Sequence, residues 1–369
     1  MPTAAPIDPT PRNLFGLARW SVIVPIAAAL AILFGKPASF PVVVVMGVLL
    51  AGAILAAVYH AEVLAHYLGE PFGTLTLALA VTVIEVSLIV SIMLGDGADA
   101  QTLARDTLMA AIMITINGIV GVCLLAGGRL HHEQSYTQAG VSAGLAMLAT
   151  LSVLVLVLPN YTISAAGAFY NSKQLLFVAI VSLVVYATFV AAQTFRHRDH
   201  FLYSIEEADD HAHEAPVPRL KALAAAAILL VALVAVVLLA KNLSPTIEAA
   251  VRSAGAPKAL VGIIIAGLVL APEGFAAMRA ARANRVQNSL NLAIGSALAS
   301  IGLTIPAVAI VALALGLELE LGLSLSSTVL LALTLLVATL TLSRGRTTIV
   351  QGVIHLVLFA TYLFITIVP

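Results

Sequence analysis

The stretch Leu75-Thr-Leu-Ala-Leu-Ala-Val-Thr-Val-Ile-Glu-Val-Ser-Leu-Ile-Val-Ser-Ile-Met93 is apolar except for a few hydroxyl groups and one acid, Glu85, close to its middle. Its length matches the roughly 17–25 residues that a helix needs to cross a membrane. A charged side chain at the centre of a bilayer costs roughly 2.5–3.5 kcal/mol on insertion scales, so an acid there is a candidate functional residue. This stretch therefore predicts a membrane-spanning helix that carries part of a site.

A second apolar stretch with an acid lies at the corresponding place in the other half of the chain. It reads Val261-Gly-Ile-Ile-Ile-Ala-Gly-Leu-Val-Leu-Ala-Pro-Glu-Gly-Phe275, and its acid is Glu273. One intramembrane acid in each half suggests that the two share one site, which binds a cation or protons.

The composition decides the broad class. The 369 residues are 61% hydrophobic and only 10% charged, whereas a soluble domain carries about 25% charged residues. Long apolar runs alternate with short polar stretches, so we predict an all-α polytopic membrane protein that sits in the lipid bilayer. The formal net charge is zero, which gives no indication of nucleic-acid binding. The single cysteine, Cys123, excludes an internal disulfide.

The hydropathy pattern predicts eleven membrane spans. They lie at about residues 20–35, 41–66, 73–94, 107–127, 138–158, 174–195, 220–241, 257–278, 287–315, 321–342 and 347–368. We expect the segment 242–255, which follows the seventh span, to form a short surface helix.

The Lys and Arg residues predict the orientation. With a cytoplasmic N-terminus, twelve of the 18 fall in cytoplasmic loops and six in outside loops. Positive charge is enriched on the cytoplasmic side of membrane proteins. We therefore expect the N-terminus inside and the C-terminus outside.

The longest loop divides the chain into related parts. Residues 1–40 hold a tail and an extra first span, and 196–219 form an acidic, histidine-containing cytoplasmic loop. Residues 41–195 and 220–369 then hold five spans each. An odd number of spans per half forces the halves to insert with opposite topology, the usual arrangement of secondary transporters.

Several stretches resemble the two α-repeats of the calcium/cation antiporter superfamily, and most of all its bacterial calcium/proton antiporters. Some members of that branch are described as sodium–potassium/proton antiporters. The matching stretches are Leu68-Gly-Glu-Pro-Phe-Gly-Thr-Leu75, Val83-Ile-Glu-Val-Ser-Leu88, Ala271-Pro-Glu-Gly-Phe275 and Gly295-Ser-Ala-Leu-Ala-Ser-Ile-Gly-Leu-Thr-Ile-Pro306. The resemblance implies an antiporter of the bacterial inner membrane, not an enzyme, with transported ions and no cofactor.

One departure from the superfamily bears on the choice of ion. Many of its exchangers carry Gly-Asn four and three residues before the repeat glutamate. Here those positions hold Val81 and Thr82 in the first repeat, and Val269 and Leu270 in the second. Two carbonamide ligands are therefore missing, which leaves both Ca²⁺ and Na⁺ or K⁺ open as the exchanged cation.

The chemistry of a calcium site can be worked out from the residues. Ca²⁺ takes six to eight oxygen ligands at about 2.3–2.6 Å. Glu85 and Glu273 would balance its charge and supply two to four of those oxygens. Pro272 and Gly274 flank Glu273 and should weaken the helix there, which would free backbone carbonyls. Neutral side chains that could add further ligands are Thr82, Asn117, Asn291, Ser296 and Ser300.

Protonation would couple this site to a proton gradient. A desolvated carboxyl group favours its neutral form, and a bound cation reverses that preference. Glu85 and Glu273 can then hold protons or a cation, but not both, and they should titrate as a coupled pair. If the site can switch between the two sides of the membrane only when a cation or protons are bound, cation movement in one direction drives proton movement in the other.

Each of these residues also has a purely structural interpretation. The two acids could form hydrogen bonds between helices, Asn117 could join two helices, and the serines could bond back to their own helix. We interpret His355 as a structural histidine with satisfied hydrogen bonds.

Two other protein classes are less compatible with the sequence. No cluster suited to a membrane-embedded enzyme is evident, and channels usually form acid rings by oligomer symmetry rather than from two repeats in one chain.

Overall fold

The computed structural model describes residues 13–14, 16–34, 39–69, 72–93, 101–196, 217–255, 257 and 259–368. In these ranges the chain forms eleven long helices and four strands of two or three residues each. The helices are α1 Arg19–Ala31, α2 Phe40–Leu68, α3 Phe72–Met93, α4 Leu103–His131, α5 Gln138–Tyr161, α6 Ser172–Thr194, α7 Arg219–Ser253, α8 Ala259–Arg282, α9 Val286–Leu315, α10 Leu325–Leu342 and α11 Ile349–Ile367. The strands are β1 Asn13–Leu14, β2 Leu17–Ala18, β3 Glu133–Ser135 and β4 Arg346–Thr348.

The helices confirm the predicted all-α polytopic fold. Each predicted span corresponds to one helix in the described part of the chain, and nine of those helices are long and apolar enough to cross a membrane. The 22 residues of α3 are also enough, since a helix rises about 1.5 Å per residue. The 13 residues of α1 reach only about 20 Å, less than the roughly 30 Å hydrocarbon core.

The helix α7 corrects one expectation. Residues 242–253 continue α7 without a break instead of forming a separate surface helix, and Pro245 lies inside the helix. The helix ends just before Gly255, which adopts a φ of 68°. A residue in this left-handed conformation ends many helices, and glycine adopts it without steric cost.

The chain divides into two compact units. The first comprises residues 1–77 and 216–242 and contains α1, α2 and the part of α7 up to Asn242. Its core joins Leu17 and Val22 to Val63 of α2 and Ala225 of α7. His60 of α2 is fully buried, and its Nε2 lies 2.9 Å from the carbonyl oxygen of Ser21.

The second unit contains α3 from residue 78, α4 to α6, the end of α7 and α8 to α11. Its hydrophobic core centres on α4 and α9, whose Leu108, Ile112, Leu298 and Ile301 are fully buried. These are the third helices of the two predicted halves. Their neighbours correspond: α4 packs against α8 and α11 of the other half, while α9 packs against α6 and bonds to α3. This reciprocal packing is what two inverted five-helix repeats produce.

The loops of the second unit form two separate groups. At one end β3 pairs antiparallel with β4, and Gln134 donates a hydrogen bond to the carbonyl of Ala281 in the α8–α9 hairpin. These loops follow α4, α8 and α10. At the other end, the backbone N–H of Glu320, before α10, donates to the carbonyl of Gln101, before α4, and the backbone N–H of Gly322 donates to the carbonyl of Ala168, before α6. The loops after α4, α8 and α10 thus contact one another, as do the loops after α3, α5 and α9, which is the pattern of a chain in which successive helices cross the membrane in opposite directions.

Candidate functional site

Glu85 lies deep in the second unit, where its side chain is only 3% exposed. The hydroxyl of Thr304 in α9 donates a 2.8 Å hydrogen bond to Glu85 Oε2. The hydroxyl of Ser300, one helical turn earlier in α9, also hydrogen-bonds to this carboxyl group. A buried carboxyl group needs such partners because burial removes its water. The acid of the first half is thus held by hydroxyl groups of the second half.

Sequence reasoning missed Thr304, although a signal was available. Ser296, Ser300 and Thr304 recur every four residues, a spacing that places side chains on one face of a helix. Only the first two were singled out as candidates. Thr304 is fully buried and extends the same stripe by one turn to Glu85.

Glu273 lies in α8 and is also buried, with 9% of its surface exposed. The helix is continuous at this point: α8 runs from Ala259 to Arg282 with Pro272 inside. The proline ring removes one backbone hydrogen bond, to the carbonyl four residues earlier. A methyl group at Gly274 would lie 3.3 Å from Ile119 Cδ1. Beside Glu273, therefore, α8 packs closely on α4 of the other half.

Thr82 lies one helical turn before Glu85 in α3 and is 6% exposed. Its hydroxyl donates a 2.8 Å hydrogen bond to the carbonyl of Ala78 in its own helix. This bond uses the proton but leaves lone pairs on the hydroxyl oxygen. Thr82 therefore keeps an oxygen that could bind a cation beside Glu85.

Asn117 joins three helices. It lies in a π-helical turn of α4, Met113–Ile119, and is fully buried. Its Nδ2 donates to Thr334 Oγ1 of α10 at 2.9 Å, and its Oδ1 lies 3.0 Å from Nδ1 of His355 in α11. These contacts show Asn117 joining helices, and its role as a ligand stays a prediction. Its carbonyl oxygen accepts one hydrogen bond, from His355, and has a second lone pair.

Asn291 lies far from Glu85 along α9. Its Oδ1 accepts a 2.9 Å hydrogen bond from Gln287 Nε2. Thirteen residues separate it from Thr304, or about 20 Å along a helix, whereas Ca²⁺ ligands lie within about 2.6 Å of the ion. The structure therefore does not bring Asn291 together with Glu85. Ser296 is closer, about 12 Å from Thr304 along the helix.

The remaining predictions concern His355 and the long loop. His355 has both ring nitrogens paired, with Asn117 and with Thr341 Oγ1 at 2.9 Å, as expected of a satisfied structural histidine. The loop 197–216 with its histidines and acids lies outside the described residues. Within the described ranges, no group of three or more His, Cys, Asp or Glu side chains could hold a metal ion.

The comparisons with known proteins agree with this architecture. The family model described as sodium/calcium exchanger protein matches residues 38–195 and 224–368. The chain belongs to this family. The two matched segments nearly coincide with the two predicted five-helix halves, and the gap between them falls in the long loop.

Two relatives of this exchanger-family protein match it over nearly their whole length. One, y4hA from Sinorhizobium fredii, carries a name that describes an ionic transporter, and it is 46% identical over 95% of this chain and 96% of its own. The other is the sodium-potassium/proton antiporter ChaA from Escherichia coli, 38% identical over 93% of this chain and 94% of its own. The exchanger-family chain is therefore a membrane transporter of cations and not an enzyme.

Two solved structures share the fold. The structure of native YfkE superposes with a TM-score of 0.72 and covers 96% of this chain and all of that one, at 16% identity. The H⁺/Ca²⁺ exchanger CAX also has a TM-score of 0.72, with 93% of this chain and 86% of that one covered, at 16% identity. The fold of this exchanger-family protein is thus that of helical exchangers.

Proposed function

We propose that this protein exchanges Ca²⁺ for H⁺ across the bacterial inner membrane by alternating access, and that Glu85 and Glu273 bind the cation or protons in competition. The observation that carries the proposal is the Thr304–Glu85 hydrogen bond. It connects a buried acid of one half to a hydroxyl donor of the other half, within a family of cation exchangers.

The local groups suit a hard cation. Glu85 and Glu273 bring two negative charges and up to four oxygens. Hydroxyl oxygens at Thr82, Ser300 and Thr304 would raise the total to seven, within the six to eight that Ca²⁺ takes. With no cation bound, the buried carboxyl group of Glu85 favours a proton, and the Thr304 hydroxyl can still donate to its other oxygen. The same atoms therefore serve both loaded states.

A second candidate is Na⁺ or K⁺ exchange for H⁺ on the same site. It is favoured by the 38% identical relative named a sodium-potassium/proton antiporter. The replacement of Gly-Asn by Val81-Thr82 and Val269-Leu270 points the same way, since it removes two carbonamide oxygens from a calcium shell. One monovalent ion balances one carboxylate, so the second acid would keep a proton or take a second ion.

The proposed site lies between inverted halves at residues 41–195 and 220–369, after an extra segment at 1–40 and with the loop 196–219 between them. We place the N-terminus in the cytoplasm and the C-terminus outside. The grouping of loops supports this alternation of spans, and the distribution of Lys and Arg selects its direction.

The test uses proteoliposomes with an internal pH indicator and an imposed proton gradient. Ca²⁺, Na⁺ and K⁺ are added separately to wild type, Glu85→Gln and Glu273→Gln. Glu133→Gln is the matched control, because Glu133 forms an exposed ion pair with Arg346. We expect Ca²⁺ to collapse the gradient in wild type and the control and in neither site variant.

Two results would change this conclusion. A response to Na⁺ or K⁺ without one to Ca²⁺ would select the monovalent alternative. Full Ca²⁺ exchange in both site variants would show that the two acids are structural, and the proposed mechanism would be wrong.

A further inference from the structure

A buried polar network crosses the second unit beside the π-helical turn of α4. His355, Asn117 and Thr334 are each fully buried. His355 lies between Asn117 and Thr341, at 3.0 and 2.9 Å, and Asn117 reaches on to Thr334 at 2.9 Å. The network therefore connects α4, α10 and α11 through side chains alone.

The hydrogen-bond directions in this network depend on one another. Asn117 donates through its amide nitrogen to Thr334, so its carbonyl oxygen accepts a hydrogen bond from His355 Nδ1. A neutral histidine with a proton on Nδ1 has a lone pair on Nε2. The Thr341 hydroxyl lies 2.9 Å from this nitrogen and 2.7 Å from the carbonyl oxygen of Val337 in its own helix, so the two acceptors compete for its one proton. Removal of the imidazole would leave the buried Asn117 oxygen without its partner, and an unmade buried hydrogen bond is costly.

The backbone around the network has little freedom to adjust. A methyl group at Gly121 of α4 would lie 2.9 Å from Leu356 Cγ, and one at Gly352 of α11 would lie 2.6 Å from the backbone nitrogen of Leu125. The α4–α11 contact is thus tight close to the network. This packing limits how far Asn117 and His355 can move apart.

The opposite side of the same turn contacts the helix of the second acid. Ile119, two residues after Asn117, ends the π-helical turn and contacts α8 at Gly274, next to Glu273. π-helical turns lack the regular hydrogen bonding of an α-helix and occur often at functional sites. A shift of Asn117 would therefore move Ile119, and with it the surface of α4 that packs against α8 next to Glu273.

We propose that His355 is a positioning residue for ion exchange, which acts through Asn117 to hold the π-helical turn of α4 against α8 at Glu273. This inference rests on the proposed function, because it assigns Glu273 to the ion site. His355 touches neither ion in this scheme. Loss of outer-shell partners typically lowers metal affinity or activity by about 10–100-fold.

The test compares His355→Leu with His355→Gln in the proteoliposome assay, with whichever of Ca²⁺, Na⁺ and K⁺ the wild type exchanges. Leucine has a similar volume and makes no hydrogen bond. Glutamine can donate to Asn117 through its amide nitrogen, yet it does not titrate. We expect the half-saturating cation concentration to rise about tenfold in His355→Leu and to stay near the wild-type value in His355→Gln.

Additional variants separate positioning from folding. Asn117→Ala should raise the half-saturating concentration as His355→Leu does, and the double variant should raise it no further, because both act through one connection. Should His355→Leu not fold, Thr341→Val removes one partner of the imidazole. Its control is Thr339→Val in the same helix, since the Thr339 hydroxyl bonds to the carbonyl of Leu335 in its own helix.

Several results would overturn the inference. One is an unchanged half-saturating cation concentration in His355→Leu. Another is an equal rise of that concentration in the leucine and glutamine variants. A third is the same half-saturating concentration for Thr341→Val and Thr339→Val. An equal loss in His355→Leu and His355→Gln would show that the imidazole itself is required. Absence of exchange in wild type is a different failure, which removes the proposed function and this inference with it.

Discussion

At the scale of single residues, Glu85 shows what could be predicted and what could not. An acid in an apolar stretch can be recognised as a candidate functional residue from the sequence alone, because inserting it into the membrane is costly whatever the helix packs against. Its partner Thr304 lies 219 positions away, and no local pattern connects the two. Asn117 is similar: its partners Thr334 and His355 lie 217 and 238 positions away, and no local pattern connects them.

Thr304→Val should weaken cation exchange strongly. The substitution removes a hydrogen bond to a group that becomes charged, and such bonds contribute about 1.5–3 kcal/mol. We expect the half-saturating cation concentration to rise by roughly 10–100-fold, because 1.4 kcal/mol corresponds to a factor of ten. Titration of initial exchange rates against cation concentration in proteoliposomes measures this change.

Two further variants control this experiment. Thr304→Ser retains the hydroxyl donor and should stay near wild type. Thr150→Val removes an exposed hydroxyl that bonds only within α5, to the carbonyl of Ala146. Equal effects of Thr304→Val and Thr150→Val would show that the bond to Glu85 does not matter for exchange.

At the scale of helices, the sequence predicted position better than continuity. The eleven spans follow from long apolar runs, and each has its helix in the described ranges. The error concerns the segment 242–255, which was expected to be a separate helix: α7 instead runs on through Pro245, as α8 does through Pro272. In a membrane helix, neighbouring groups and local adjustment can compensate for one lost hydrogen bond, and the sequence does not show that compensation.

The contact between α4 and α11 should be intolerant of added volume. In Gly352→Ala the new methyl group would lie 2.6 Å from the backbone nitrogen of Leu125, so the helices must separate. Overpacking of this kind typically costs about 1–3 kcal/mol. We expect a lower thermal unfolding midpoint in detergent, measured by fluorescence.

Gly47→Ala in α2 is the matched control, because no atom lies within 4 Å of the position its methyl group would take. It should unfold at the wild-type temperature or slightly above, since alanine has a higher helix propensity than glycine. Equal stability of the Gly352 and Gly47 variants would contradict the close packing of α4 on α11.

At the scale of the whole molecule, the sequence predicted the symmetry but not the contacts that express it. Counting spans around residues 196–219 gives two halves of opposite topology. The structure adds how they interlock in the second unit: β3 of one half pairs with β4 of the other, and Phe169 of the first half forms a β-bridge with Glu320 of the second. Such pairings depend on side-by-side loops, which hydropathy does not reveal.

The loop grouping predicts a specific cross-link. Ser135 and Arg346 are opposite each other in the β3–β4 register, and both are exposed. With Ser135→Cys and Arg346→Cys combined, mild oxidation should form a disulfide that joins the two halves. After proteolytic cleavage in the loop 196–219, a non-reducing gel should then show one band. Ser135→Cys with Ser324→Cys, from the other loop group, should remain as two fragments; cross-linking of that pair would contradict the predicted crossings.

The interlocked halves also affect how the protein is made. The ribosome releases the first half before the second exists, so Glu85 enters the membrane while its partner Thr304 is still unsynthesised, and β3 has no strand to pair with. Until α9 arrives, the early half must keep its acid protonated or shielded by the insertion machinery. The hydrogen bond from Thr304 to Glu85 can therefore form only after α9 has been made and has packed against the first half.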